Sequence, residues 1–174
     1  MLSLYIKDKS LIIKDVDKGQ IAQIAEWFNG REKEHYRYAM GMDGPVKYED
    51  LHEKYLESLV SVSEFFLSVN LDDVLVGFVK GRLDYRNEGE IWIMAILIDK
   101  KFQNQGIGKR IIKLIMRESA ERFGIKTFYA GIVEDNKQGM AFWKSLKFCE
   151  YRQSKGYFTL HNKSRDLMIM YRKI

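Results

Sequence analysis

The sequence predicts a mixed α/β fold, and three observations carry that reading. Segments rich in β-formers alternate with segments whose apolar residues recur at helical spacing. The nearly continuous apolar run Ile91 to Ile98 has the length of a buried strand. It is followed by a helical segment and then by a second strand-like segment, Thr127 to Val133, so these two strands are expected to run parallel. The other strands come as neighbouring pairs. The order of elements therefore gives a central sheet that is mostly antiparallel, with one parallel pair in its middle.

The elements follow in order. Leu2 to Ile6 and Leu11 to Val16 are expected to be strands joined at Lys7 to Ser10. Asp17 is placed to cap a first helix that runs to about Phe28, with Ile21, Ile24, Ala25 and Phe28 inward, and Asn29-Gly30 ends it. Residues 31 to 47 read as an irregular connection carrying His35, Tyr36, Tyr38, Met40 and Met42. Tyr48 to about Val62 is expected to be a second helix. Phe65 to Asn70 and Val74 to Leu83 form a hairpin turning at Leu71-Asp72-Asp73. After the strand at 91, helical periodicity resumes with Ile107, Ile111, Leu114, Ile115 and Phe123 on one face. Asn136 can cap a helix whose Met140, Phe142, Trp143 and Leu146 form an apolar face. Phe148 to Ser154 and Asp166 to Lys173 close the chain as another antiparallel pair. Neither a repeat nor a linker interrupts the sequence, so one domain over residues 1–174 is expected.

Composition narrows the function classes. At 174 residues, 46% hydrophobic and 30% charged, with one proline, the chain can bury a sizeable core and has no low-complexity segment. No apolar stretch approaches the roughly eighteen residues of a membrane span. The stretch Met1 to Asp8 lacks the layout of a signal peptide, and the single cysteine, Cys149, excludes an internal disulfide. A cytoplasmic location is expected, with Cys149 as a small core residue. The net charge of +5 comes from interspersed Lys, Arg, Asp and Glu, so neither a nucleic-acid nor a membrane partner is expected. His35, His52 and His161 lack ligand spacing, and no metal is expected.

The chemistry-bearing stretch is Gln103-Asn-Gln-Gly106-Ile-Gly108-Lys-Arg110, between the strand at 91 and the helix at 107. Gly106 and Gly108 let backbone N–H groups come close to a ligand, and a strand, a glycine turn and a helix N-terminus together make an anion site. Lys109 and Arg110 stand at the helix end where the dipole disfavours cations, which points to an anionic partner. It is not a P-loop, because Arg110 occupies the place of the required Ser/Thr. The dinucleotide fingerprint is also excluded, because Ile111 stands where its third glycine belongs.

Gln103-x-x-Gly106-x-Gly108 resembles the pyrophosphate loop of the GNAT superfamily of N-acetyltransferases, Q/R-x-x-G-x-G/A. A second match lies downstream, where that family shows Asn, a small residue, an aliphatic or aromatic residue, Tyr, then Gly-Phe. Asn136, Gly139, Phe142 and Phe148 agree with it, whereas Trp143 and Lys147 depart. The resemblance implies a splay between the two parallel strands, and acetyl-CoA as acetyl donor. Its pyrophosphate would lie on the backbone amides of Gln103, Asn104, Gln105, Gly106, Ile107, Gly108 and Lys109. Backbone groups of Ile96, Leu97 and Ile98 would meet the pantetheine arm and supply oxyanion donors. Asn136, Gly139, Phe142 and Trp143 would complete the cofactor site.

By the same resemblance the chain is expected to be an acetyl-CoA-dependent N-acetyltransferase, in which a primary amine attacks the thioester directly within a ternary complex. The acceptor is a small-molecule amine or a peptide amine; oligomeric state is left open, a homodimer included. Trp143 stands where the family's tyrosine acid is drawn, and an indole N–H donates a hydrogen bond but does not ionise near neutral pH. That departure keeps an acyl-CoA-binding module without turnover as the alternative. Lys147, in the place of glycine, is expected to give a different turn. Glu90, sharing parity with Trp92, is the first candidate for the general base and Glu134 the second; Tyr129 is a candidate to orient the acceptor. Gly131 removes the base that some relatives carry there. Asp43, Glu49 and Asp50 are candidates to attract a cationic amine, and Tyr36 and Tyr38 to stack on it.

Overall fold

The computed structural model describes residues 4–84 and 89–174, the side chain of Ala39 excepted. The strands are β1 (Ile6–Asp8), β2 (Leu11–Asp15), β3 (Glu64–Leu71), β4 (Val74–Asp84), β5 (Glu90–Ile98), β6 (Thr127–Val133), β7 (Cys149–Leu160) and β8 (Lys163–Lys173). The α-helices are α1 (Gln20–Asn29), α2 (Lys33–Ala39), α3 (Tyr48–Val60), α4 (Ile107–Phe123) and α5 (Lys137–Ser145), with a short 3-10 turn at Lys100–Phe102. The strands form one sheet in the order β1-β2-β3-β4-β5-β6-β8-β7. Neighbours are antiparallel except β5 and β6, which run parallel as expected.

In the middle of the sheet both faces are covered, because β-strand alternation sends side chains both ways, whereas β7 is exposed along most of its length. On one face Ile91 and Ile93 of β5 and Phe128, Ala130 and Ile132 of β6 pack under Ile111, Ile112 and Ile115 of α4. On the other, Phe66, Phe78 and Leu97 pack against Ile21, Ile24, Trp27 and Phe28 of α1. Each fully buried Ile or Phe here contributes about 1.5–3 kcal/mol relative to an exposed one.

One irregularity shapes the middle of the sheet. Lys80 pairs with Ala95 and Gly81 with Ile93, so Met94 is an extra residue, a β-bulge. The last β5–β6 partners are Ile93 and Ala130. Beyond them β5 stays on β4 as far as Gly77 and Ile98, while β6 stays on β8 as far as Val133 and Leu167. The bulge thus sits where the parallel pair opens, and the expected splay is present.

Several local expectations need correction. The first strand begins at Ile6, and its turn is tighter, with Lys9 at φ 54°; residues 2 and 3 of the expected strand lie outside the described residues. Asp17 does not cap α1. Its backbone N–H donates to Gln20 Oε1 at 3.0 Å, its carboxylate pairs with Lys14, and the helix starts after Gly19. The connection 31–47 contains α2. Cys149 is exposed, because β7 is the outermost strand. The β7–β8 hairpin also runs further than expected, turning at His161 and Asn162, both at positive φ. Lys147 gives no new turn: at φ 62° it takes the left-handed conformation that glycine adopts freely.

Candidate active site

The opening between β5 and β6 is a cleft of about 650 Å³. Its walls are the end of β5, the loop 103–109, the end of β6, the first turns of α5, and α2. Of the residues expected to hold a cofactor, Ile96, Leu97, Ile98, Gln103, Asn104, Gly106, Ile107, Gly108, Lys109, Asn136, Gly139, Phe142 and Trp143 line it. Gln105 does not; its side-chain amide donates to the Lys101 carbonyl at 3.0 Å.

Backbone geometry explains the loop. Asn104 (φ 60°) and Gly106 (φ 78°) are both left-handed, a turn chemistry that gathers successive N–H groups on one side. Gly106 is the N-cap of α4, and no side chain caps it, so the unsatisfied N–H groups of the first turn meet the cleft. Gln103 Nε2 donates to the Ile98 carbonyl at 2.7 Å and ties the loop to β5. Gly108 allows α5 to approach, since a Cβ there would lie 3.1 Å from Phe142 Cε2. Arg110 turns away from the loop: its Nε donates to Asp8 Oδ2 at 2.7 Å and its Nη2 to the Asp8 carbonyl at 2.8 Å. Lys109 is the cation that the loop keeps at the cleft. This array of free N–H groups with one cation fits an anionic diphosphate.

The β5 backbone is equally explicit. The Asp99 N–H donates to the Val76 carbonyl at 2.8 Å, on the β4 side. Strand alternation therefore turns the N–H groups of Ile96 and Ile98 the other way, toward the side that β6 has left. On α5, Asn136 Oδ1 accepts from the Gly139 N–H at 2.9 Å, the expected cap. A Cβ at Gly139 would lie 2.9 Å from Asn136 Nδ2, which accounts for the small residue. Trp143 is buried against Phe148, ring centroids 4.7 Å apart, while part of it reaches the cleft wall.

The helix α2 is a strap across the mouth. On the β5 side the Lys100 N–H donates to Tyr36 Oη at 2.8 Å, and His35 lies 3.4 Å from the Gln103 amide. On the β6 side the Tyr38 hydroxyl donates to Asp135, whose other oxygen pairs with Arg165 at 3.1 Å. Tyr36 is thereby a buried tether. Asp135, which no sequence pattern singles out, is the one carboxylate among the described lining residues. No local signal announces the pair, because 97 positions separate Tyr38 from Asp135.

Burial first, then the Asp135 carboxylate, pushes the Tyr38 hydroxyl up to about 12. The folded value is raised, so the stabilisation from its bound proton is complete below the ordinary value of 10 and is lost as pH climbs through 12. Wild type is expected to lose stability relative to Tyr38→Phe across that window in thermal melts. Parallel curves would show that Asp135 does not hold the phenol.

The remaining candidates lie elsewhere. Glu90 and Tyr129 meet each other, hydroxyl to Oε1 at 3.5 Å, at the paired end of β5 and β6, and neither lines the cleft. They belong to a cross-strand row in which Arg82 sits over Trp92, Trp92 stacks on Tyr129 at 4.3 Å, and Tyr171 and Tyr151 follow. Glu134 accepts from the Asp166 N–H at 3.2 Å. Asp43 pairs with His161, and Glu49 and Asp50 occupy the first turn of α3; none of the three lines the cleft.

Residues 22–148 match the model of the acetyltransferase (GNAT) family. The chain belongs to the GNAT family. Within it, a spermine/spermidine N(1)-acetyltransferase of Bacillus subtilis (strain 168) is 30% identical over 80 residues, covering 42% of this chain and 52% of that protein. The chain thus matches about half the length of the curated relatives it resembles. GNAT structures share the fold far more widely. A spermidine N-acetyltransferase from Vibrio cholerae, in complex with CoA and spermine, superposes with a TM-score of 0.81 at 17% identity, over 95% of this chain and 96% of that one. An acetyl transferase from Salmonella typhimurium that modifies the N-terminal serine of ribosomal protein L7/L12 gives 0.84 at 16% identity, over 96% of each chain.

Proposed function

We propose that this GNAT chain is an acetyl-CoA-dependent N-acetyltransferase acting on a primary amine, carried by a small molecule or a peptide. The observation that carries the reading is the continuity of the uncapped Gly106 turn with the open edge of β5 in one cleft. The turn supplies N–H groups and Lys109 for a diphosphate, and the Ile96 and Ile98 N–H groups are placed to hold a carbonyl oxygen as charge builds on it. Acetyl-CoA, when bound, supplies the thioester carbonyl.

The strap α2 and Asp135 form the other wall and are assigned to the acceptor. Asp135 offers a carboxylate to an incoming ammonium, and Tyr38 and Arg165 fix its direction. Deprotonation then precedes attack, because only the neutral amine is nucleophilic. Glu90 and Tyr129, outside the cleft lining, take part in this reading only through water. Trp143 acts as a packed shelf whose N–H is available to the sulfur. A setting inside the cytoplasm belongs to the same proposal; no described helix is long and apolar enough to cross a membrane.

The test is a panel of primary amines, including a polyamine and a peptide with a free N-terminus, mixed with acetyl-CoA and read by thiol release above an acceptor-free blank. Amine-dependent release is expected. Tight CoA binding with no release on any amine would favour the second reading, a binding module without turnover, which Trp143 motivates.

A further inference from the structure

The wall assigned to the acceptor is apolar except at one point. Met40, at the end of the strap, and Ala95 of β5 pack with the cluster under α1, on the face of the sheet opposite α4, and both line the cleft. Met94, the extra residue of the bulge, lines it too and is 55% exposed, so its thioether chain is open to whatever enters. Across the opening Gly131 lines the β6 side, and a Cβ there would lie 3.0 Å from Leu167 Cδ1, which puts a leucine beside it.

Charge on this cleft is scarce and of the wrong sign for a polycation. Among the described lining residues Asp135 is the one carboxylate, whereas Lys109 and Lys137 are both cations. Asp135 is also shared: one oxygen accepts from the Tyr38 hydroxyl and the other pairs with Arg165. Its remaining lone pairs can accept from one ammonium. Neighbouring acids are engaged outside the cleft lining: Asp43 by His161, Glu134 by the Asp166 N–H, and Asp166 by the Gly156 N–H. A second ammonium on the same acceptor would meet thioether and methyl groups or another cation, and an unpaired charge in apolar surroundings is costly. An apolar group in its place would leave water against Met40 and Met94.

We propose that the acceptor is a monoamine, with its ammonium at Asp135, an apolar or aromatic group lying on Met40 and Met94, and no second cationic centre. The proposal rests on the N-acetyltransferase reading above and deepens it. Apolar surroundings also favour the neutral amine, which forms when one proton passes to solvent. Attack then joins the amine nitrogen to the acetyl carbon, the carbon–sulfur bond breaks, and the thiolate takes the second proton that the nitrogen gives up.

Thiol release with the full chain tests this on two matched pairs. The first is n-pentylamine against 1,4-diaminobutane, which have equal numbers of heavy atoms and differ at one end. The second is a peptide beginning with leucine against the same peptide beginning with lysine, and the pair that turns over shows whether the apolar group comes from a small molecule or a peptide. In that pair wild type is expected to favour the apolar member by at least about tenfold in kcat/KM. Met94→Glu, at an exposed position, is expected to melt close to wild type and to lower that ratio about tenfold, because the new carboxylate receives the second ammonium. Met94→Leu should keep the ratio. Equal rates, or a preference for the dication, in every pair that turns over would overturn the monoamine assignment while leaving the N-acetyltransferase reading intact. A ratio unchanged in a folded Met94→Glu protein would overturn the placement of the apolar group on Met94. Tight CoA binding without release on either pair or on any other amine would overturn both readings.

Discussion

Gly106→Val is expected to lower CoA affinity by at least about a hundredfold while leaving a cooperatively folded protein. The glycine sits at φ 78°, a conformation that a β-branched residue adopts only at a cost of about 1–3 kcal/mol. Rotating φ back relieves that strain, but the same rotation turns the N–H groups of the first α4 turn away from the cleft. Each hydrogen bond from these groups to a charged oxygen contributes about 1.5–3 kcal/mol, so the loss of two accounts for the fold-change. The fold should survive because a Cβ at Gly106 meets no atom within 4 Å. Titration with CoA, set beside thermal melts of both proteins, checks the two halves of the claim. Unchanged affinity would remove the turn from the binding site.

The turn was readable in the sequence because every part of it is local. An apolar run, two glycines and a 3.6-residue period sit next to one another, and each has a single structural meaning. The same holds for Asn136 and Gly139, whose cap spans one turn. The strap α2 was not readable. Seven residues, six of them polar or aromatic, cannot hold a helix on their own. Contacts from elsewhere hold this one: Arg37 Nε donates to the Phe28 carbonyl at 2.7 Å, and Tyr36 is fixed by the backbone of Lys100. Asp135 was not singled out for the same reason, since its partners Tyr38 and Arg165 come from opposite ends of the chain. Cys149 followed composition, whereas its exposure follows from β7 being the sheet edge. In each case the missing information was tertiary, and most of it lies on the wall proposed for the acceptor. The half proposed for the diphosphate is built from neighbours in sequence; the half proposed for the acceptor is built from strangers.

Gly77→Ala is expected to destabilise the protein by about 2–4 kcal/mol and to weaken CoA binding at the same time. In an unobstructed strand the change would have the opposite sign, because alanine gains about 0.5–1 kcal/mol over glycine in an element interior. Here Gly77 of β4 faces Ile98 of β5. A Cβ would overlap the Leu97 carbonyl oxygen and stand 2.7 Å from Ile98 Cδ1 and 3.3 Å from Ile98 Cα. The methyl of Ile98 can rotate away, but the carbonyl cannot. The strands must separate, and the bond from the Asp99 N–H to the Val76 carbonyl goes with them. That strand end also presents Ile96 and Ile98 to the cleft, and its Ile98 carbonyl anchors Gln103. Gly19→Ala is the control, with no atom within 4 Å and φ at −63°; its effect should stay within about 0.5 kcal/mol. Denaturant unfolding of the three proteins, with CoA titrations alongside, reads both quantities. A Gly77→Ala protein as stable as wild type would mean that β4 and β5 lie farther apart than described. Lost stability with CoA affinity intact would uncouple the β5 end from the loop, and the oxyanion role given to Ile96 and Ile98 would lose its support.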